Sequence, residues 1–362
     1  MTGGRVFISD CEGPISKNDN AFEVAQAFIP KGDRFFSLVS RYDDVLADIV
    51  KRPGYRAGNT LKLITPFLKA YGVTNAQLIE YASDNIVVLL DAKEMLHHLS
   101  SILPSFIVST SYEQYLSALC TQMDFPLSKV YCTQLDLDRY EIPLNEAERI
   151  QKLTDELTSY QMIHIPDHAT SIQDFSEKDQ TTITRLDEVF WKTIPSMACG
   201  QMLREVTPMG GEEKAKAVTA IASNLESDLA ETVYVGDSIT DVQALQLVNT
   251  GGGLTVSFNG NRYAVSNAEI AVLSDTTLVT AILVDVFSRK GKKEVLELAR
   301  NWNRLTVEEA SIDSSLATAL IEKCLGRFPK VQVVDDQNVE AMIEESNQFR
   351  ISVRGKAIGR LG

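Results

Sequence analysis

Polar side chains suited to phosphate chemistry follow short apolar segments at several places in the sequence. These side chains are Asp10 and Glu12, Ser109, and Asp237 with Asp241. A lysine, Lys214, begins a predicted helix just after a pair of glycines. Hydrolysis of a phosphate monoester needs a nucleophile, cations for the charged phosphoryl oxygens and an acid for the leaving alkoxide. The residue types present therefore indicate phosphoryl-transfer chemistry.

Each of these side chains has an expected role in such a reaction. Asp10 can attack phosphorus and form an aspartyl-phosphate, while Glu12 can protonate the leaving group. Asp10, the backbone carbonyl of Glu12 and Asp237 would hold Mg²⁺, because this ion prefers oxygen ligands. Ser109 would donate a hydrogen bond to the phosphoryl oxygens, and Lys214 would neutralise their charge. The expected cofactor is therefore Mg²⁺.

The apolar segments themselves predict a parallel β-sheet. Buried strands are predicted at 6–9, 106–109, 130–132, 232–235, 254–258 and 270–273. Amphipathic segments lie between most of them, and this alternation indicates an α/β fold with helices on both faces of a parallel sheet. Because ligands bind at the carboxyl ends of the strands in such sheets, we expect the polar side chains to converge at one edge.

Two intervals are longer than the connection between neighbouring strands requires. Residues 14–103 have helical periodicity and predict a helical cap, inserted after the first strand, that closes over the site. Residues 138–207 form a second predicted insertion. We assign residues 1–13, 104–137 and 208–287 to the core, and residues 288–362 to a helical C-terminal extension.

The composition restricts the partners and the location that we expect. The chain of 362 residues has 35 basic and 49 acidic residues, and a formal charge of −14 argues against nucleic acid or an anionic membrane as partner. Five cysteines without any CxxC pair favour reduced thiols. The N-terminus does not resemble a signal peptide, and the apolar stretches are too short to span a bilayer. We expect a cytoplasmic protein acting on a phosphorylated small molecule, while nothing indicates its oligomeric state.

The motifs resemble those of the haloacid-dehalogenase superfamily, and they occur in the order found in that superfamily. They are Asp10-x-Glu12-Gly13, Ser109, Lys214 and Gly236-Asp237-Ser238-x-x-Asp241. Residues 253–261 are similar to the segment that follows the last motif in phosphoserine phosphatases. The resemblance covers residues 5 to about 19, 106 to about 120 and 212–274, and it says little about either insertion or the C-terminal extension.

The resemblance implies a three-layer Rossmann-like core and a phosphoric monoester hydrolase. It makes Asp10 the nucleophile and a metal ligand, Asp237 a ligand of Mg²⁺, and Asp241 a residue that supports the metal site. Glu12 stands where the family usually has a second aspartate, and Pro14 replaces the usual threonine. The longer side chain of Glu12 leaves the turnover rate open.

Two assignments have alternatives. Lys216 lies two residues after Lys214, and we prefer Lys214 because Val218 and Ile221 then pack behind it at helical spacing. Asp19 aligns weakly with the acidic position that binds the substrate amine in phosphoserine phosphatases, and it alternatively caps a helix.

A non-catalytic or regulatory protein is the main alternative function. The chain also resembles an archaeal family of accessory subunits associated with energy-converting hydrogenases. Glu12 and the C-terminal extension favour this alternative, since a fold does not determine a function. The complete set of motif residues opposes it. A phosphotransferase would differ from a phosphatase only in the acceptor, and the sequence does not name the substrate.

Overall fold

The structure is a computed structural model that describes residues 4–310, 313–324, 326 and 328–359. Residues 1–3 of the predicted core lie outside the described residues, as do 311–312, 325, 327 and 360–362 of the predicted C-terminal extension. Within the described ranges, none of the helices combines the length and the apolar character needed to cross a membrane.

A seven-stranded sheet lies at the centre of the described chain. Its strands are β1 (Val6–Ser9), β2 (Ser105–Tyr112), β3 (Val130–Thr133), β4 (Thr232–Gly236), β5 (Leu254–Phe258), β6 (Ile270–Leu273) and β7 (Lys330–Val333). Their order across the sheet is β3-β2-β1-β4-β5-β6-β7. The first six strands are parallel, and β7 pairs with β6 in the antiparallel direction. The six predicted strands are all present, and the predicted Rossmann-like α/β fold is confirmed.

The α-helices of the described residues are numbered in chain order. They are α1 (Asn20–Phe28), α2 (Gly32–Asp44), α3 (Thr60–Ala70), α4 (Asn75–Asn85), α5 (Ala92–Ile102), α6 (Glu113–Met123), α7 (Leu144–Leu157), α8 (Glu177–Glu188), α9 (Gly200–Glu205), α10 (Glu212–Asn224), α11 (Val242–Thr250), α12 (Arg262–Asn267), α13 (Leu278–Lys290), α14 (Lys292–Arg300), α15 (Arg304–Glu309), α16 (Ser314–Lys323) and α17 (Val339–Ile358). Short π-helical segments, Val45–Ile49 and Val189–Thr193, continue α2 and α8.

Helices cover both faces of the sheet. Val6 and Ile8 of β1 pack in one apolar cluster with α10, α11 and α12. Phe7, which points to the opposite face because side chains alternate along a strand, packs with α5, α6 and α13. These side chains are at most 1% exposed, and each contributes roughly 1.5–3 kcal/mol to the free energy of unfolding by leaving water. The three-layer core is therefore held together through the strands that carry the motifs.

The predicted cap follows β1 and lies over the carboxyl edge of the sheet. A Cβ atom added to Gly58, between α2 and α3, would lie 3.1 Å from Thr110 Cγ2 and 3.2 Å from Thr240 Cγ2, so the cap backbone approaches two strand ends closely. The Tyr112 hydroxyl donates a hydrogen bond to the Leu61 carbonyl at 2.6 Å. The cap therefore lies over the edge where the motif residues end.

Helix α5 packs differently from the rest of predicted cap segment 14–103. Its buried side chains, including Met95 and Leu96, belong to the apolar cluster of the sheet rather than to that of α1–α4. A parallel pair of strands needs a crossover that returns along the sheet face, and α5 supplies it between the cap and β2. The predicted domain boundaries remain predictions, and the packing groups α5 with the core.

The two insertions share one apolar core. Phe190 of the second insertion stacks against Tyr42 and packs against Phe67 of the first, with ring centroids 6.0 Å apart in both pairs. Buried side chains of α7, α8 and α9 join the same cluster. Segments that are far apart in sequence therefore form one helical unit above the sheet.

The C-terminal extension is mainly helical, as predicted, and it also contributes a strand that we did not predict. In β7 the apolar Val331 and Val333 alternate with Lys330 and Gln332, a short period-2 pattern typical of an edge strand. After β7 the chain continues into α17, which contacts β6 and α12. The extension therefore returns to the core.

Candidate active site

The carboxyl ends of β1 and β4 bring the predicted acidic residues together. The Asp10 N–H donates to the Val235 carbonyl at 2.8 Å, which extends the pairing of the two strands by one residue. Carboxylate oxygens of Asp10, Asp237 and Asp241 all lie within 4.8 Å of one another, and all three residues are buried. Three predicted residues, from two parts of the sequence that are far apart, thus form one cluster.

The turn after β1 makes this close approach possible through Gly13. Its φ of +109° lies in a region that favours glycine. A Cβ atom at this position would lie 2.2 Å from Asp237 Oδ2. Glycine is therefore required both by the backbone conformation and by the carboxylate that packs against it.

Lys214 connects the nucleophile position to Asp241. Its ammonium lies 2.6 Å from Asp10 Oδ2 and 2.7 Å from Asp241 Oδ1, and its side chain is fully buried. Lys216 is exposed and pairs with Glu213 at 2.8 Å. The structure therefore places Lys214, and not Lys216, in the site.

Asp241 uses both of its carboxylate oxygens within the protein. Oδ1 accepts hydrogen bonds from Lys214 and, at 2.7 Å, from the Tyr234 hydroxyl. Oδ2 accepts from the backbone N–H groups of Asp237 and Ser238, each at 3.0 Å. This arrangement holds the turn that carries Asp237 in place, and the role of Asp241 in supporting a metal site remains a prediction.

Burial and charge act in opposite directions on the pKa values of this cluster. Burial raises the pKa of Asp10 to about 8, although the Lys214 charge opposes the shift. Burial would lower the pKa of Lys214, but the carboxylates of Asp10 and Asp241 outweigh it and raise that pKa. Burial likewise acts to raise the pKa of Asp241, and the Lys214 ammonium overcomes it and lowers that pKa. Lys214 is thus held as a cation between the carboxyl groups of Asp10 and Asp241.

Glu12 and Asp19 lie near the start of α1. Glu12 Oε1 accepts a hydrogen bond from the Asn20 N–H at 2.6 Å. Burial, with the nearby Asp19 carboxylate, raises the pKa of Glu12 well above its usual value. Asp19 caps α1 by accepting from the Phe22 N–H at 3.0 Å, and it also lines the same cavity as Glu12. Both of the predicted alternatives for Asp19 are thus compatible with its position.

Ser109 lies within β2, which continues for three more residues to Tyr112, whereas the sequence predicted that the strand ends at Ser109. It is buried, and its hydroxyl oxygen accepts a hydrogen bond from the Ser111 N–H at 3.3 Å. The cavity wall at this point contains its neighbour Thr110. The phosphate-binding role of Ser109 therefore remains a prediction.

Two arginines of α17 belong to the site and were missed in the sequence. Arg350 contacts Asp237 Oδ2, and Arg354 Nη1 lies 3.1 Å from the same oxygen. The side chains of both arginines are only 4% exposed. The available signal was their spacing of four residues, which puts them on one face of a helix. That spacing alone does not identify a partner more than one hundred residues away.

The cavity above these groups is acidic. Its lining includes the carboxylates of Asp10, Glu12, Asp19, Asp43, Asp44 and Asp237, together with the guanidinium groups of Arg350 and Arg354. An anionic phosphate ester would be repelled by this set unless a further cation were bound. The clustered carboxylate oxygens of Asp10 and Asp237 are the donors that Mg²⁺ prefers, so these residues fit a divalent cation.

Comparisons with known proteins agree with the fold. The family model of the haloacid dehalogenase-like hydrolases matches residues 58–282. The structure of gene product AF1437 from Archaeoglobus fulgidus is 28% identical, with a TM-score of 0.81 and 99% coverage of both chains. A substrate-bound phosphoserine phosphatase is 13% identical, with a TM-score of 0.44, over 78% of this chain and 99% of that one. A search of curated protein sequences finds no significant match.

Proposed function

Because the chain belongs to the haloacid dehalogenase-like hydrolases, we propose that it is a Mg²⁺-dependent phosphatase of a small phosphorylated metabolite. The observation that carries this proposal is the contact of Lys214 with Asp10, at 2.6 Å, beside the Asp237 carboxylate. A nucleophile, a buried cation and a second carboxylate for a metal ion are thereby assembled at one edge of the sheet. This is the set of groups that phosphoryl transfer requires.

The first step forms a covalent intermediate on Asp10. A carboxylate oxygen of Asp10 bonds to phosphorus while the ester P–O bond breaks. The leaving alkoxide takes a proton from Glu12, whose pKa is raised by burial, a shift that favours the protonated form of a general acid. Lys214 offsets the charge on the reacting groups throughout this step.

The second step regenerates the enzyme. Water attacks phosphorus, the bond between phosphorus and the Asp10 oxygen breaks, and the proton of the water passes to Glu12. Inorganic phosphate leaves, and both carboxyl groups return to their initial protonation states. Ser109 is proposed to donate to a phosphoryl oxygen, and Asp241 to keep Lys214 and the Asp237 turn in place.

Asp10, Asp237 and the backbone carbonyl of Glu12 are the proposed ligands of Mg²⁺. The ion would lower the pKa of the buried Asp10 carboxyl and neutralise the phosphoryl oxygens. The clustered oxygen atoms of Asp10 and Asp237 support this assignment, because oxygen atoms are the ligands that Mg²⁺ prefers.

The cap and the overall charge support a small substrate. The cavity is lined by cap residues as well as core residues, which favours a metabolite over a macromolecule. The charge of −14 disfavours nucleic acid and anionic membranes as partners. We propose a cytoplasmic location, which fits five buried cysteines without disulfides.

The test is release of inorganic phosphate from a panel of phosphorylated metabolites, with Mg²⁺ or with EDTA. Wild-type protein should hydrolyse at least one compound, and EDTA should abolish the activity. Asp10→Asn should be inactive because an amide is a poor nucleophile and a poor metal ligand. Glu12→Gln, which loses only proton transfer, should be slower by a factor of about 10²–10⁴. Asp33→Asn, an exposed change on α2, serves as control.

Two results would contradict this proposal. Full activity of Asp10→Asn on every substrate of the wild type would show that Asp10 is not the nucleophile. Inactivity of the wild type across the panel would favour the regulatory alternative. One observation favours that alternative specifically, since Arg350 and Arg354 already contact the carboxylate expected to bind the metal.

A further inference from the structure

Helix α17 reaches the active site from an anchor at the edge of the sheet. Met342 and Ile343, in its first half, pack with side chains of α12 and β6. The Ser346 hydroxyl, which is buried, donates to the Gly260 carbonyl at 2.6 Å. The first half is therefore fixed to the core, and the second half, in which Phe349 and Val353 also pack against the core, extends over the cavity.

The second half delivers two cations to one carboxylate. Arg350 Nη1 contacts Asp237 Oδ2 and lies 3.3 Å from the Asp237 carbonyl oxygen and 3.4 Å from that of Asn259. Arg354 Nη1 lies 3.1 Å from the same Oδ2, and its other nitrogens donate to the carbonyls of Lys17 and Asn18. Carboxylate and carbonyl oxygens are also the ligands that a divalent cation would use.

Two guanidinium groups on one buried carboxylate oppose the binding of a third cation there. Arg350, Arg354 and Asp237 are nearly excluded from solvent, so their charges are weakly screened. A divalent cation at Asp237 would be repelled by both arginines, and it would compete with them for the carboxylate. Docking of the helix and binding of the metal should therefore weaken each other by the same factor.

We propose that the second half of α17, residues 347–358, is an autoinhibitory strap that a divalent cation displaces from Asp237. This inference rests on the proposed metal site and adds a means of regulating it. The docked strap supplies positive charge to Asp237 and keeps the site in a state without the metal. Binding of the metal releases the strap and completes the catalytic centre.

Two features of the strap favour reversible release. Gly355 has φ 82° and ψ 163°, so the helix is interrupted directly after Arg354. Arg350 Nε is buried without a hydrogen-bond partner among the described residues, and an unpaired buried N–H is unfavourable. The docked state therefore leaves Arg350 Nε without a hydrogen bond to any described residue. The helix is also interrupted at Gly355, so residues on the N-terminal side of this glycine can lose their helical hydrogen bonds from that end.

The first test measures Mg²⁺ binding by isothermal titration calorimetry. The double variant Arg350→Gln/Arg354→Gln keeps polar side chains of similar length but removes both charges. We expect it to bind Mg²⁺ at least 10-fold more tightly than the wild type. Arg149→Gln/Arg300→Gln removes two exposed positive charges elsewhere and should leave the affinity unchanged. Equal or weaker binding by the first variant would overturn the proposal.

The second test separates displacement of the helix from a purely electrostatic effect. Addition of Mg²⁺ to the wild type should accelerate amide hydrogen exchange in residues 347–358, while exchange in residues 339–346 should change little. Unchanged or slower exchange in the strap would overturn the proposal even if the affinities changed as expected. If the double variant does not fold, Arg354→Gln alone should give several-fold tighter Mg²⁺ binding, and unchanged binding would count against the strap.

Different experimental results would contradict the strap proposal and the phosphatase proposal. Displacement of the strap by Mg²⁺ without hydrolysis of any phosphate ester would support the strap and contradict the phosphatase. Phosphate release by a wild type whose strap stays docked in Mg²⁺ would contradict only the strap.

Discussion

At the scale of single residues, the site is defined by charges that are buried in contact with one another. Lys214 is the centre of this arrangement, because it touches both Asp10 and Asp241 without contact to solvent. Removing one member of a buried ion pair leaves the other uncompensated, which is strongly unfavourable. The residues that carry the proposed chemistry therefore also determine whether this edge of the sheet is stable.

A buried carboxyl group on the cap predicts a pH dependence of stability. Burial, together with the neighbouring Asp43 carboxylate, raises the pKa of Asp44 to about 7, against about 3.9 when unfolded. The folded protein therefore binds more protons than the unfolded chain between these values. By linkage, this group lowers the free energy of unfolding progressively as the pH rises from about 4 to 7.

Asp44→Asn should remove this loss of stability. At pH 8 we expect its free energy of unfolding to exceed that of the wild type by about 1–3 kcal/mol. At pH 4 the two proteins should differ little. Urea denaturation at several pH values measures this, with the exposed Asp33→Asn on the same helix as control. A difference that is independent of pH would show that Asp44 is ionised normally.

The sequence predicts the site residues that lie in the core motifs, and it does not predict those that the C-terminal helix α17 contributes. Asp10, Lys214, Asp237 and Asp241 lie in local patterns whose chemistry can be recognised, and the structure brings them together. Arg350 lies 113 residues after Asp237, on a helix whose position depends on β7. Its partner is determined by tertiary packing, and no local pattern encodes that.

At the scale of elements, the site depends on how the strands end. The turn after β1 has to leave room for the side chain of Asp237, the residue that follows β4. Gly13 meets both conditions, with a positive φ and no Cβ atom.

Gly13→Ala should damage the site far more than an ordinary glycine replacement. The added methyl group would overlap Asp237 Oδ2, in addition to the strain of a positive φ. We expect loss of Mg²⁺ binding and a destabilisation greater than that of Gly72→Ala. Gly72 also has a positive φ, of +76°, but has nothing within 4 Å of the added atom, so its replacement should cost roughly 1 kcal/mol.

Calorimetry and thermal unfolding of both variants provide the measurement. If Gly13→Ala and Gly72→Ala were equally destabilised and both bound Mg²⁺, the contact between Gly13 and Asp237 would be unimportant.

Elements with a long or strongly apolar pattern were predictable, and short edge elements were not. The six parallel strands are buried apolar runs that periodicity identifies. Strand β7 has four residues, only one of them buried, so its pattern is weak and its pairing depends on β6. The sequence predicts α5 as a helix, but it does not predict the packing of α5 on the sheet. Amphipathicity shows that one face of a helix is buried, and it does not show which element covers that face.

At the scale of the whole molecule, the cap and the second insertion form one helical unit whose two parts should unfold together. Phe190 lies in the π-helical segment of the second insertion, and its fully buried side chain packs against Tyr42 and Phe67. Phe190→Ala should lower the free energy of unfolding of this unit by about 3–5 kcal/mol. Amide exchange should accelerate in both α3 and α8, and much less in β1 and β4.

Leu144→Ala is the matched control for this prediction. Leu144 belongs to the second insertion but is 76% exposed, so its truncation should change exchange very little. Acceleration confined to α8 in Phe190→Ala would show that the insertions are stabilised independently of each other.

The position of the strap near the C-terminal end of the described chain also means that it is synthesised after the rest of the site. Translation proceeds from the N-terminus, so β1 and β4 leave the ribosome before α17 does. Arg350 follows Asp237 by 113 residues, which take roughly 6–23 seconds to add at elongation rates of about 5–20 residues per second. During synthesis, Asp237 is therefore accessible to free ions before either arginine exists. If the proposed metal site forms in the nascent chain, a cation can bind Asp237 before the two arginines that would compete with it have been synthesised.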